Sequence, residues 1–236
     1  VLSLNADGTV ARHQRTESPA TQYWSYFGNS SAALGDFDGD GIPDVASAAP
    51  GAHGSHGRVY VMLMNTNGTA REIITVEEPE PSAFARYPSA LANIGDLNDD
   101  GVVDLVAGAY WSDAPLEHSG EIYVMFMSSN GVTESVAVIS AEQGNGPALA
   151  ANDYFGTGIA GIGDLDDDGI EDIAVGAYGT DDTWTNAGAV HVLFMKTDGT
   201  VRETAKIAAS TVPGLELGDD WAFGIKLAAL GDLDGD

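Results

Sequence analysis

The 236 residues carry 36 acidic side chains against 9 Lys and Arg, a formal net charge of -27 that repels nucleic-acid phosphates and an anionic membrane surface and so excludes both as partners. The absence of cysteine excludes disulfides, thiolate metal sites and cysteine nucleophiles. No apolar run is long enough for a membrane span, no signal peptide is recognisable, and the apolar content of 44% suffices for a core.

In chain order, Val1-Leu2-Ser3-Leu4-Asn5-Ala6-Asp7-Gly8-Thr9-Val10 reappears as Val61-Met62-Leu63-Met64-Asn65-Thr66-Asn67-Gly68-Thr69-Ala70, so the chain enters partway through a repeating unit. Asp7-Gly8 is a hairpin signal, as are Asn67-Gly68, Asn130-Gly131 and Asp198-Gly199, because Asn or Asp followed by Gly accepts the positive φ of a tight hairpin. Next comes Asp36-Phe37-Asp38-Gly39-Asp40-Gly41-Ile42-Pro43-Asp44, with carboxylates at positions one, three, five and nine around a glycine at six. The spacing recurs in Asp96-Leu97-Asn98-Asp99-Asp100-Gly101-Val102-Val103-Asp104 and in Asp164-Leu165-Asp166-Asp167-Asp168-Gly169-Ile170-Glu171-Asp172, and begins again at Asp232-Leu233-Asp234-Gly235-Asp236. The opening aspartates fall 60, 68 and 68 residues apart, which is the period of the whole chain.

A hard cation such as Ca²⁺ takes six to eight oxygens, and alternate side chains of a tightly curled segment converge on one point. The expected ligands are Asp36, Asp38, Asp40 and Asp44; Asp96, Asn98, Asp100 and Asp104; Asp164, Asp166, Asp168 and Asp172; and Asp232, Asp234 and Asp236, with backbone carbonyls of Ile42, Val102 and Ile170 at position seven. A solvated acidic turn explains one such run, but not three complete copies in matching surroundings. An EF-hand loop shares the first half of the spacing yet needs a Glu at position twelve, where Ser47, Ala107 and Val175 stand. The carboxylate at position nine must close the site instead. Of the 36 acids, 17 lie in the four loops, so bound metal offsets much of the negative charge.

The third copy shows the unit most clearly. A first strand opens at Phe155-Gly156 and runs through Ile159 and Ile162 to the acidic loop; a second spans 172–178, a third 189–195 and a fourth 201 to about 208. The flanks of the acidic loop are short, β-branched and stopped by glycine, which is wrong for helices. Four antiparallel strands in 60 to 70 residues make one propeller blade. The period is too long for a β-helix, and a β-sandwich has no such period. A lone blade cannot bury both faces, so blades must stack, and the small run Ala174-Val175-Gly176-Ala177 lets sheets approach closely. The fold class expected is all-β: a partial β-propeller of four-stranded antiparallel blades with calcium loops between first and second strands. The expected boundaries are 1–20 for the end of a preceding blade, 21–84, 85–152 and 153–220 for three repeats, and 221–236 for the start of a fourth, all in one propeller domain.

Phe27-Gly28, Phe155-Gly156 and Phe223-Gly224 precede acidic loops, and Ala48-Ala49-Pro50, Gly108-Ala109-Tyr110 and Gly176-Ala177-Tyr178 follow them. In that order these motifs resemble the FG-GAP repeats of the integrin α-subunit propeller and its bacterial relatives, over essentially the whole chain. The resemblance implies a seven-bladed propeller, so the missing blades are expected from the rest of a longer polypeptide or from neighbouring copies. The second repeat departs from the pattern, with Tyr87-Pro88 in place of Phe-Gly and Asn98 at position three, which leaves three carboxylates and implies weaker binding.

Calcium is expected to be structural, and acidic loops of this type fill outside the cell, so a secreted or cell-surface protein is expected, of which this chain is a piece. His191 takes the place of Tyr60 and Tyr123 in sister strands and is read as packing. His53 and His56 sit in a glycine-rich loop without a repeated acid or nucleophile, and His13 and His118 read as lone, exposed polar residues. No nucleophile elbow or zinc-protease helix is present, so the chain is not read as an enzyme. Trp111 and Trp184 fall in corresponding loops, and Trp24 and Trp221 just before the aromatic-glycine step; covering gaps between blades is preferred to stacking on sugars. Asn29-Ser30-Ser31 and Asn67-Gly68-Thr69 match the glycosylation pattern in turns whose composition produces such matches freely. The preferred function is an adhesion, binding or assembly module with an extracellular protein or glycan ligand. The alternatives are a carbohydrate-binding propeller and a non-catalytic propeller attached to an enzyme domain elsewhere.

Overall fold

Residues 59–64, 122–127 and 192–195 are continuous apolar runs, and such runs are stable only where both faces of a strand are covered. The computed structural model describes residues 2–19, 24–52, 56–76 and 85–231. Asp232, Asp234 and Asp236 of the fourth acidic loop, and His53, lie outside the described residues.

The strands are β1 (Leu2–Leu4), β2 (Val10–His13), β3 (Ser31–Gly35), β4 (Asp44–Ala49), β5 (Arg58–Met64), β6 (Ala70–Val76), β7 (Leu91–Asn93), β8 (Leu105–Ala109), β9 (Glu121–Met127), β10 (Thr133–Ile139), β11 (Phe155–Gly163), β12 (Asp172–Ala177), β13 (Ala189–Met195) and β14 (Val201–Ile207). Strands β1 and β2 form a hairpin, and the rest make three four-stranded sheets in sequence order, each an antiparallel meander. The four strands of the third sheet coincide with the expected segments to within a residue or two. No helix of the described residues is long and apolar enough to cross a membrane.

The alternation of side chains along a strand gives the middle sheet two apolar faces. Leu105, Ala107, Tyr123, Met125 and Met127 pack with Leu34, Phe37, Val61 and Leu63 of the first sheet. Val106, Ile122 and Val124, one step out of phase, pack with Phe155, Ile173, Val175 and Leu193 of the third. The sheets therefore stack face to face as propeller blades. In their outermost strands, β6, β10 and β14, all but one residue of each is partly or fully exposed, and charged and apolar side chains are mixed.

Glycine sets how closely the blades approach. A Cβ on Gly108 would stand 2.0 Å from the Gly156 carbonyl oxygen, and one on Gly176 would stand 1.8 Å from that of Gly224. A second glycine in each blade receives the aromatic of the next: Gly120 bridges to Phe155 and Gly188 to Phe223. The expected close approach through the glycine-alanine step is thus formed. In the second repeat Tyr87 still acts as the wedge, fully buried and edge-on to Tyr123 at 5.4 Å.

The four hairpin turns differ from the expectation in one respect. Only the glycine of each pair has positive φ, at 82°, 82°, 80° and 76° for Gly8, Gly68, Gly131 and Gly199. The preceding Asn or Asp instead accepts, through its side chain, the N–H two residues on, at 2.9 Å in Asp7 with Thr9, Asn67 with Thr69 and Asp198 with Thr200. Five residues, Asn65 to Thr69 in the first sheet, lie between the paired ends Met64 and Ala70, so the loop is longer than a two-residue turn.

Replacing Gly108 by Ala forces blades two and three apart, and a loss of about 1–3 kcal/mol is expected from such overpacking, read as a lower midpoint in chemical unfolding. An unchanged midpoint would show that the blades do not meet there.

Candidate metal centres

Each acidic loop joins the first and second strands of a sheet, and its glycine at position six, Gly41, Gly101 or Gly169, has φ between 85° and 90°. Position four is left-handed as well, at Gly39, Asp99 and Asp167, residue types that tolerate it. The curl lets position one accept the N–H of position six: Gly41 to Asp36 at 2.9 Å, Gly101 to Asp96 at 2.6 Å and Gly169 to Asp164 at 2.7 Å. Position five accepts the N–H of position seven, at 2.9 Å from Ile42 to Asp40, 2.8 Å from Val102 to Asp100 and 2.9 Å from Ile170 to Asp168.

Position nine is buried and holds the start of its loop and the end of the third strand at once. Asp44 accepts the N–H of Phe37 at 3.1 Å through one oxygen and that of Met64 at 2.8 Å through the other. Asp104 does the same with Leu97 and Met127 at 3.0 and 2.9 Å, and Asp172 with Leu165 and Met195, both at 3.0 Å. Burial pushes the Asp104 carboxyl up to about 6 against these two bonds, and the nearby Asp100 and Asp96 add to the rise. Burial likewise raises Asp172.

In the first loop the carboxylate oxygens of Asp36, Asp38 and Asp44 lie within 4.8 Å of one another, and in the third those of Asp164, Asp166 and Asp172. Oxygens on opposite sides of a calcium ion at 2.3–2.6 Å lie about 5 Å apart, so both groups fit a hard cation with oxygen ligands. In the second loop position three is Asn98, so the equivalent trio of carboxylates is not present. Its Asn98 amide donates to Asp100 at 2.8 Å, and its oxygen accepts the Asp100 N–H at 3.2 Å. Two residues that loop spacing cannot reveal lie across the first and third loops: Arg71 pairs with Asp38 and Asp40, and Arg202 with Asp166 and Asp168.

The opposite end of the strands is aromatic. A cleft of about 840 Å³ is lined by Trp24, Tyr26, Tyr110, Trp111 and Tyr178 with Arg86, whose guanidinium lies 4.6 Å from the Trp111 ring centre. His118 is not the lone exposed residue expected from sequence. It is half-buried and stacks between Trp111 and Tyr154, at 5.2 and 5.9 Å, because the loop folds back over the aromatic-glycine step of the next blade. His13 is exposed as expected. Trp24, Trp184 and Trp221 are half or more exposed, which does not match a gap-covering role; Trp111, packed by Arg86 and His118, comes nearest to it.

Residues 36–107 match the FG-GAP-like repeat family, and residues 155–193 match the FG-GAP repeat family. This is a chain of FG-GAP repeats. The FG-GAP chain is 34% identical to human integrin alpha-10 over 199 residues, 81% of this chain and 16% of that protein. It is 28% identical to integrin alpha pat-2 of Caenorhabditis elegans over 242 residues, 94% of this chain and 18% of that protein. Human integrin alpha-11 shares 34% over 191 residues, 76% of this chain and 15% of that protein. The chain thus spans less than a fifth of the length of these relatives.

His191 is buried at 4% exposure and meets Phe155 edge-on at 5.9 Å, in the packing role expected of it. Burial, with the positive Lys206 nearby, lowers its ring to about 4. A folded value below the ordinary one means that its contribution is complete above roughly pH 6.5 and is lost as pH falls toward the folded value. Replacing His191 by the tyrosine of its sister strands is expected to flatten the fall in melting temperature between pH 7 and pH 4; parallel falls in both proteins would contradict this.

Proposed function

We propose that this chain is part of a calcium-stabilised, secreted or cell-surface FG-GAP propeller that serves as an adhesion, binding or assembly module. The blades are read as 21–84, 85–152 and 153–220, flanked by the end of one blade at 1–20 and the start of another at 221–236. The remaining blades come from a longer polypeptide, or else from neighbouring copies. The observation that carries the reading is the pair of gathered carboxylate groups, repeated at the same place in two blades of an integrin-like scaffold. The ligands proposed at the first loop are Asp36, Asp38, Asp40, Asp44 and the Ile42 carbonyl. The third loop uses Asp164, Asp166, Asp168, Asp172 and Ile170. A weaker second site uses Asp96, Asn98, Asp100, Asp104 and Val102, and Asp232, Asp234 and Asp236 begin a fourth.

What bound calcium supplies here is charge neutralisation and cross-linking of the curled loop. The protein's residues orient the carboxylates through backbone N–H bonds and hold position nine against the strands. With calcium at ten to a hundred times its Kd, each filled loop adds about 1 to 3 kcal/mol. Excess EDTA is expected to lower the melting temperature clearly and calcium to restore it, whereas an identical melting curve under both conditions would rule out metal occupancy.

The exposed aromatic cleft favours one second reading, a glycan ligand stacked on Trp24, since an apolar ring face is the usual platform for a sugar. A glycan array separates the two readings. Sugar binding abolished by Trp24→Ala supports the glycan, and no binding to any glycan leaves protein contacts as the module's business.

A further inference from the structure

In each of these two loops a guanidinium is laid across the position-three carboxylate of the gathered group and the position-five carboxylate beside it. Arg71, the second residue of β6, sends Nη2 to Asp38 and Nη1 to Asp40. Arg202, the second residue of β14, sends Nη2 to Asp166 and Nη1 to Asp168, the latter at 2.6 Å. In both blades one nitrogen takes position three and the other position five, always at the Oδ2 oxygen. Both arginine side chains are about two-fifths exposed, so the forks lie at the rim of the loops.

The second loop departs from this at two positions together. Its equivalent strand residue is Glu134, and position three is Asn98, whose amide reaches the Asp100 Oδ2 at 2.8 Å. An internal N–H donor therefore covers the outer oxygen of position five in all three loops. It carries a positive charge only where position three is a carboxylate.

In the proposed ligand set a hard cation draws oxygens from positions three and five, the same two carboxylates that the guanidinium bridges. Arginine does not give up its proton, so it cannot become neutral to admit the ion, and its fork matches paired carboxylates well. We propose that Arg71 and Arg202 are tethered counter-cations that compete with metal at the first and third loops. They hold positions three and five together when the loop is empty and weaken cation binding when metal is offered. The second loop, with fewer carboxylates to hold together, has Glu134 at the equivalent strand position and no such competitor. The proposal rests on the reading of these loops as cation sites.

The test is calorimetric titration of calcium into the intact protein at low salt, as wild type, Arg71→Gln and Arg202→Gln, with melting curves in EDTA and in excess calcium. Each substitution is expected to tighten binding at its own loop about three- to fivefold, the size of a partly exposed ion pair, with a smaller gain at high salt. Each should also lower the melting temperature in EDTA while leaving it nearly unchanged in calcium. Unchanged or weaker calcium binding in both variants overturns the proposal, as does an equal fall in melting temperature with and without calcium, which marks a merely structural contact. If wild type and both variants take up no calcium at all, the reading of the loops as cation sites fails, a result distinct from unchanged affinity.

Discussion

The structure depends on a buried carboxylate that accepts two backbone N–H bonds at the end of each acidic loop. Asp44, Asp104 and Asp172 each tie the start of their loop to the last residue of the third strand, more than twenty residues further along in the latter two. Taking a carboxylate out of water is costly unless it is hydrogen-bonded, and charge-assisted bonds of this kind contribute about 1.5–3 kcal/mol each. The offset is incomplete, because burial still raises Asp104 and Asp172 above the ordinary carboxylate range. A cation on the loop side would favour the charged form of the same group. The aspartate that fastens the strands is therefore also the one a metal would draw on, which couples the loop to the sheet.

Blade stacking follows a second rule, in which small residues of one blade receive the aromatic entry of the next. Gly108 and Gly120 receive Phe155 and Gly156, and Gly176 and Gly188 receive Phe223 and Gly224. Where the second repeat replaces Phe-Gly with Tyr87-Pro88, the preceding blade has Ala48 at the place of Gly108, so the two changes occur on facing elements. This packing leaves the acidic loops at one end of the strands and the aromatic cleft at the other.

Much of this was legible in the sequence because the signal repeats. A nine-residue spacing occurring three times, with a Phe-Gly step before it in two of those repeats and small residues after it, identifies loop, strand and blade contact together, and β11 to β14 lie within a residue or two of their expected bounds. What was not legible depends on distance or on local competition. Arg71 and Arg202 sit 31 to 36 positions from their carboxylate partners, and nothing in the loop motif points to them. Asn67 and Asp198 suit positive φ, yet each uses its side chain to bond the backbone two residues on, which leaves the left-handed position to glycine alone. His118 looked isolated because its stacking partners, Trp111 and Tyr154, belong to different blades.

The position-nine carboxylate clamps loop to strand in the metal-free protein as well. Amide hydrogen exchange on Asp172→Asn in EDTA tests it most directly, with Asp168→Asn as the exposed comparison. Protection at Leu165 and Met195 should drop selectively in the first variant and stay near wild type in the second. Equal protection in all three proteins would show that the strands hold together without the clamp.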